Sequence, residues 1–261
     1  MSRVKAVILA GGLGTRIREE TEFRPKPMVE VGGRPLLWHI MKNFAVHGVR
    51  DFVVCTGYRG EMIKRYFLDY EALSNDFTIH LGNKEAKTYH GAHLESQWSV
   101  TVVDTGAETN TGGRVKQIEG FIEEDSFFVT YGDGLADLDL GALLAFHRDH
   151  GRLATLTAVQ PVTRFGIVDL DEHGRVVKFR EKPKTDDWVS AGFFVFDRKV
   201  FDYIDLQDTL EIEPLGALAK DGELVAFQHH GFWQPMDTFR ELTLLKKLWD
   251  SGAPPWKLWA E

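Results

Sequence analysis

The run Val4 to Leu9 is apolar and rich in β-branched residues, and it stops at Gly11-Gly12-Leu13-Gly14. An apolar run bounded by glycines reads as a buried first strand, which places the glycines at its end. Glycine carries no Cβ, so backbone N–H groups in such a loop can close around phosphate oxygens. Arg16 follows within the loop, and Lys26 is held extended in Pro25-Lys-Pro27. The spacing differs from the P-loop, which requires Gly-Lys-Ser/Thr, and from the dinucleotide pattern Gly-x-Gly-x-x-Gly. A plain tight turn is the alternative. A glycine loop with two cations suits a nucleoside triphosphate, so the expectation is chemistry on a nucleotide.

Strand-like and helix-like segments alternate after this start. Pro35 suits a first helical turn, and Leu36, Leu37, Ile40, Met41 and Phe44 make one apolar face that ends at Gly48. Phe52–Thr56, Ser99–Val103, Phe127–Tyr131 and Leu153–Val159 read as further buried strands, with a helix ending near Gly151. The pattern predicts an α/β fold, a Rossmann-like, mostly parallel sheet with helices on both faces. Ile167 to Phe179 reads as a β-hairpin insertion turning at Glu172-His-Gly174. Residues 71–98 show no clean period and read as an irregular insertion at an oligomer contact. Phe239, Leu242, Leu245 and Leu248 line a C-terminal helix, and Trp256 and Trp259 in the tail read as exposed, which favours a homo-oligomer. With no linker or repeat, the 261 residues read as one domain. A nucleotide-binding part spans about 1–135, a sugar-binding part about 136–240, and a C-terminal helix and tail 238–261.

The net charge of −8 argues against a nucleic-acid partner. An acidic chain that binds polyphosphate must gather cations locally, and Arg16, Lys26 and Lys182 are the candidates, whereas Arg18 and Arg24 read as solvated. No stretch approaches the roughly 18 apolar residues of a membrane span, and the start lacks a secretory apolar region. Cys55, the only cysteine, lies in an apolar run, so it reads as a core residue and a reducing cytoplasm fits.

Tyr131-Gly-Asp-Gly134 ends a predicted central strand, where ligands of open α/β sheets bind. Asp133 between two glycines is a candidate Mg²⁺ ligand, since magnesium on a nucleotide takes one or two carboxylates. Asp237 is the candidate second carboxylate, or else a helix N-cap. Asp137-Leu-Asp139 matches the Asp-x-Asp of metal-dependent glycosyltransferases but leads into a helix, and capping explains both acids. Lys182 in Glu181-Lys-Pro183 sits in a loop, where it can grip a monophosphate while Glu181 accepts from sugar hydroxyls; a surface pair is the alternative. His90 and His93 have no third ligand, which argues against zinc.

Together these segments resemble the sugar nucleotidyltransferases over nearly the whole chain. The likeness runs through Leu9-Ala-Gly-Gly-Leu-Gly-Thr-Arg16, Arg24-Pro-Lys-Pro-Met28, Leu37-Trp-His-Ile-Met-Lys42, Thr111-Gly-Gly-Arg114, Thr130-Tyr-Gly-Asp-Gly134, Arg164-Phe-Gly166, Glu181-Lys-Pro183, Gly192-Phe-Phe194 and Gly231-Phe-Trp-Gln-Pro-Met-Asp237. The last of these, with Thr111–Arg114 and the Pro-Pro-Trp-Lys tail, points to the branch that uses CTP and glucose 1-phosphate. The resemblance implies that Leu9, Gly11, Gly12, Gly14 and Thr15 surround the nucleotide while Arg16 and Lys26 neutralise it. It implies Thr111, Arg114 and Gly132 near the base, and Mg²⁺ on Asp133 and Asp237. Lys182 would bind the sugar phosphate, with Gly166, Glu181, Gly192 and Trp233 on the sugar side. The implied reaction makes a CDP-sugar and pyrophosphate.

Three stretches depart from that pattern. Ser190-Ala-Gly192 replaces Asn-Gly-Gly, Val162-Thr163 replaces Pro-Gly, and Thr209-Leu-Glu-Ile-Glu213 lacks a tryptophan. The first two bear on the sugar. Which base is read is not visible in the residues. A nucleotide-sugar-dependent glycosyltransferase and a non-catalytic nucleotide sensor are the other classes.

Overall fold

The computed structural model describes residues 4–12, 14, 21–91, 93, 95–163 and 165–259. Thr15, Arg16, Arg18 and Arg164 lie outside them. Strand β1 (Lys5–Ala10) leads through the glycine loop to helix α1 (Leu36–Val46), and β2 (Asp51–Thr56) leads to α2 (Gly60–Leu68). Then come β3 (Ser99–Asp104), α3 (Thr111–Gln117), β4 (Ser126–Tyr131), α4 (Leu140–His150) and β5 (Ala154–Val159). The chain finishes with β6 (Val189–Asp197), α5 (Glu213–Lys220), β7 (Leu224–His229) and α6 (Phe239–Asp250).

These seven strands form one sheet in the order β7-β5-β6-β4-β1-β2-β3. The pairs β1–β2, β1–β4, β2–β3 and β5–β7 are parallel, and β6 runs antiparallel to both of its neighbours. The order reverses at β1: the chain moves outward through β2 and β3, then returns to place β4 on the other side. Such a reversal opens a crevice beyond the carboxyl ends of the two strands. Leu9 pairs with Tyr131 at that end, so the glycine loop and Gly132-Asp133 leave the sheet side by side.

Alternate residues of β1 enter different cores, as a strand buried on both faces requires. Ala6, Ile8 and Ala10 pack with α1, α4 and α6, while Val7 and Leu9 pack with Val115 of α3 and Leu215 and Leu218 of α5. Cys55 is wholly buried in the second core, and burial pushes its thiol up to about 12, so it is inert packing.

Two expectations need correction. Within 71–98 most of the chain up to His90 is regular: a short helix, Tyr70–Ser74, precedes an antiparallel ribbon pairing Asp76–His80 with Asn83–His90. The described residues of that ribbon are largely exposed and its second strand is mostly polar, so little apolar patterning marks it. The tail tryptophans are not a free surface. Trp256 is fully buried and Trp259 packs on the same core. The hairpin pairing Ile167–Leu170 with Val176–Arg180 is present, with Gly174 at φ 77° in its turn.

Candidate active site

The floor of the crevice is a buried arginine. The Arg114 guanidinium donates through Nη1 to the Thr56 carbonyl (3.1 Å) and Thr105 Oγ1 (2.7 Å). Nη2 donates to the carbonyls of Gly11 (3.1 Å) and Ala107 (3.3 Å). These acceptors are neutral oxygens, so none of the four bonds offsets the guanidinium charge beneath the glycine loop, and burial lowers its pKa. A Cβ on Gly11 would stand 2.0 Å from Nη1, whereas one on Gly12 would meet nothing within 4 Å. Gly11 is therefore required by the arginine, and Gly12 is open to the crevice. Gly14 turns the loop at φ 62° and its carbonyl accepts from Thr21 Oγ1 at 2.8 Å.

Across from the loop, Lys26 joins two carboxylates. Its Nζ lies 2.5 Å from Asp133 Oδ2 and 2.7 Å from Asp237 Oδ1. Burial works against the Lys26 charge, but Asp133 and Asp237 outweigh it and hold the ammonium above its ordinary value. Asp133 comes from the end of β4, where Gly132 is pressed against Pro27; a Cβ there would be 2.7 Å from Pro27 Cγ. Asp237 is delivered by a ribbon that pairs Trp233–Pro235 with Gly134–Ala136, continued by Met236 N–H to the Asp133 carbonyl at 2.8 Å. Helix α6 is capped by Thr238 in a capping box with Glu241, so Asp237 is not the N-cap and turns its carboxylate to the crevice. Both carboxylates reach one ammonium, and two hard oxygen donors are the kind that Mg²⁺ takes. Asp133 and Asp237 are the residues that could hold it.

The other acid pair has different work. Asp139 caps α4 by accepting from Ala142 N–H at 2.9 Å. Asp137 is not a cap: it accepts from Phe232 N–H (2.7 Å) and pairs with His229 (3.0 Å), tethering the approach to the ribbon. His90 bonds Thr78 and His93 bonds Glu71, and among the described residues no group of three or more His, Cys, Asp or Glu could hold a metal.

A carboxylate that the sequence did not single out closes the rim. Glu211 accepts from the Tyr131 phenol and from Thr111 Oγ1 at 2.6 Å. Burial and then Glu211 push the Tyr131 pKa upward, so the phenol remains a donor. The stretch Thr209–Glu213 stood out only for a missing tryptophan, and nothing local distinguished Glu211 from other surface acids. The glycines of Thr111–Arg114 admit this loop. A Cβ on Gly113 would lie 2.2 Å from the Leu206 carbonyl, and one on Gly112 would lie 2.7 Å from that of Asp208.

The resulting cleft has a volume of about 490 Å³. Leu9, Gly11, Gly12, Gly14, Lys26, Thr111, Arg114, Gly132, Asp133 and Asp237 all line it, so the described candidates for nucleotide and metal binding share one cleft. The sugar-side candidates stand outside its lining. Gly192, at φ 78°, packs on Tyr131, and Trp233 Nε1 donates to the Ala191 carbonyl at 3.0 Å, so these two flank the cleft wall. Lys182 is half-exposed at the hairpin base, its Nζ 2.7 Å from Glu181 Oε1. Gly166 lies beside Phe179 and Glu181.

Residues 5–238 match the nucleotidyl transferase family. The chain belongs to that family. Similar members include the glucose-1-phosphate cytidylyltransferase of Salmonella typhi, 51% identical over 98% of this chain and 100% of that one. The mannose-1-phosphate guanyltransferase of Neurospora crassa is 31% identical over 90% of this chain and 62% of its own. Among solved structures, HddC from Yersinia pseudotuberculosis superposes with a TM-score of 0.69 at 22% identity, covering 94% of this chain and 99% of that one. That last likeness concerns the fold alone.

Proposed function

We propose that this enzyme transfers a cytidylyl group from CTP to α-D-glucose 1-phosphate, or a closely related sugar 1-phosphate, releasing pyrophosphate in a Mg²⁺-dependent reaction. The observation that carries this reading is the convergence of the glycine loop, Lys26, Asp133 and Asp237 on one cleft at the reversal of the sheet. The full-length similarity to the Salmonella typhi cytidylyltransferase supports the choice of nucleotide and sugar.

A sugar-phosphate oxygen attacks the α-phosphorus in line, the P–O bond to the β-phosphate breaks, and pyrophosphate leaves. The sugar phosphate is already a nucleophile, so no covalent enzyme intermediate is needed. The barrier is largely repulsion between two anions, about 4 kcal/mol per charge pair at 4 Å and an effective dielectric of 20. The loop amides receive the triphosphate, Lys26 and Arg16 neutralise it, and Lys182 leaves Glu181 to hold the sugar phosphate. Magnesium on Asp133 and Asp237 would supply further charge stabilisation. Positioning and preorganised charge carry the catalysis.

Asp137 and Asp139 are occupied by the His229 loop and the α4 cap, which removes the support for a glycosyltransferase. The same reading includes a cytoplasmic homo-oligomer. Its support is the exposed apolar hairpin, where Leu170, Val177 and Phe179 are 58%, 65% and 62% exposed, and light scattering tests it. Among the described residues no helix is long and apolar enough to cross a membrane. The reaction is tested by pairing each nucleoside triphosphate with a panel of sugar 1-phosphates and reading pyrophosphate. CTP with glucose 1-phosphate is expected to lead, and preference for UTP or dTTP overturns the cytidylyl assignment.

A further inference from the structure

The Lys26 ammonium stands where a divalent cation bound by both aspartates would have to stand. Its Nζ is 2.5 Å from Asp133 Oδ2 and 2.7 Å from Asp237 Oδ1. Magnesium takes carboxylate oxygens at about 2.0–2.1 Å, so an ion between the same two oxygens claims the same volume. Both occupants are cations, and the Lys26 side chain is only 12% exposed, which leaves little water to screen their repulsion. One excludes the other.

The backbone of Lys26 is not free to yield. Pro25 sits at φ −68°, and a tight turn closes through Met28 N–H to the Pro25 carbonyl at 2.8 Å. Only the four-carbon stem can move. Its Cβ lies 3.5 Å from the position of a Cβ on Gly14, so the stem leaves the backbone against the glycine loop. An anion seated on that loop is within reach of the ammonium.

We propose that Lys26 is an internal occupant of the divalent-cation position. The nucleotide-free protein excludes the free ion, and the metal is admitted only as its complex with a nucleoside triphosphate, whose phosphate oxygens take over the ammonium. The identity of that anion rests on the nucleotidyl-transfer reading of the cleft; the exclusion rests on the Lys26 geometry. Lys26 thus has two partners in succession, carboxylates before the nucleotide arrives and phosphates afterwards.

The test is Mn²⁺ binding to the full chain without nucleotide, read by water-proton relaxation enhancement. Wild type is compared with Lys26→Met and Lys26→Gln, each checked for native folding by thermal melting. Both variants are expected to bind Mn²⁺ about tenfold or more tightly than wild type. Adding Asp133→Asn to Lys26→Met is expected to remove that gain, which places the ion at this site. CTP is expected to raise protein-bound Mn²⁺ in the wild type. Equal Mn²⁺ affinity in wild type and both variants overturns the proposal, as does a gain that survives Asp133→Asn. Failure of CTP to raise wild-type uptake overturns the admission step. The nucleotidyl-transfer reading fails by a different measurement, absence of pyrophosphate with every nucleotide tried, and that result leaves the Mn²⁺ comparison intact.

Discussion

Arg114 fills the space that a side chain on Gly11 would need, and its Nη2 donates to the Gly11 carbonyl at 3.1 Å. The guanidinium therefore shapes the glycine loop from below by holding its backbone. Two consequences distinguish this role from contact with the base. Arg114→Met orphans several carbonyls and is expected to cost about 3 kcal/mol or more of stability in urea unfolding. Preference among nucleoside triphosphates should be unchanged in the surviving activity, because the arginine's four described bonds go to protein oxygens. A variant of normal stability with altered base preference would contradict this.

Lys26→Ala and Asp133→Asn are expected to lower turnover by roughly 10²-fold or more, the scale for losing one transition-state charge contact. Steady-state pyrophosphate release measures it, with circular dichroism to show intact folding.

Glu211 joins α3 to the wall formed by Tyr131 and Gly192, since it holds both Thr111 and Tyr131, and Tyr131 packs on Gly192. Glu211→Ala and Tyr131→Phe are each expected to lower kcat/KM by about tenfold, the worth of one hydrogen bond to a charged group. The double variant should fall little further, because both changes break one linkage. Fully additive losses would show that the two side chains act separately.

His39 ties the tail to α1. Trp256 Nε1 donates to its Nδ1 at 3.4 Å, and Nε2, which therefore carries the proton of the neutral ring, donates to the Val31 carbonyl at 2.9 Å. Burial lowers its pKa to about 4. The folded state thus resists a proton that the unfolded chain accepts near 6.5, so the stabilisation is present above pH 6.5 and is lost as pH falls towards 4. Tryptophan fluorescence during denaturant unfolding is expected to show stability declining over that interval, with His39→Gln flattening the decline.

Much of the site was legible because backbone chemistry announced it. Glycines at strand ends and prolines around Lys26 are local signals, and the structure brings Gly11, Gly12, Gly14, Lys26, Gly132, Asp133 and Asp237 to one cleft. Asp237 was ambiguous only because Thr238 and Glu241 share the cap, a choice made by hydrogen bonds that adjacent residues do not reveal. Glu211 was invisible because its partners lie 80 and 100 residues away. The tail was misjudged for a related reason: Trp256 finds its cover on His39, 217 residues earlier.

The ribbon of Gly134–Ala136 with Trp233–Pro235 has a consequence during synthesis. Asp133 emerges from the ribosome long before Asp237, and until the later segment threads alongside the earlier one, the acidic pair does not exist. An incomplete polypeptide, or one clipped before that segment, carries the loop and the lysine yet has no second carboxylate to set against them. Competence in this enzyme waits until the later segment has been made and has paired with the earlier one.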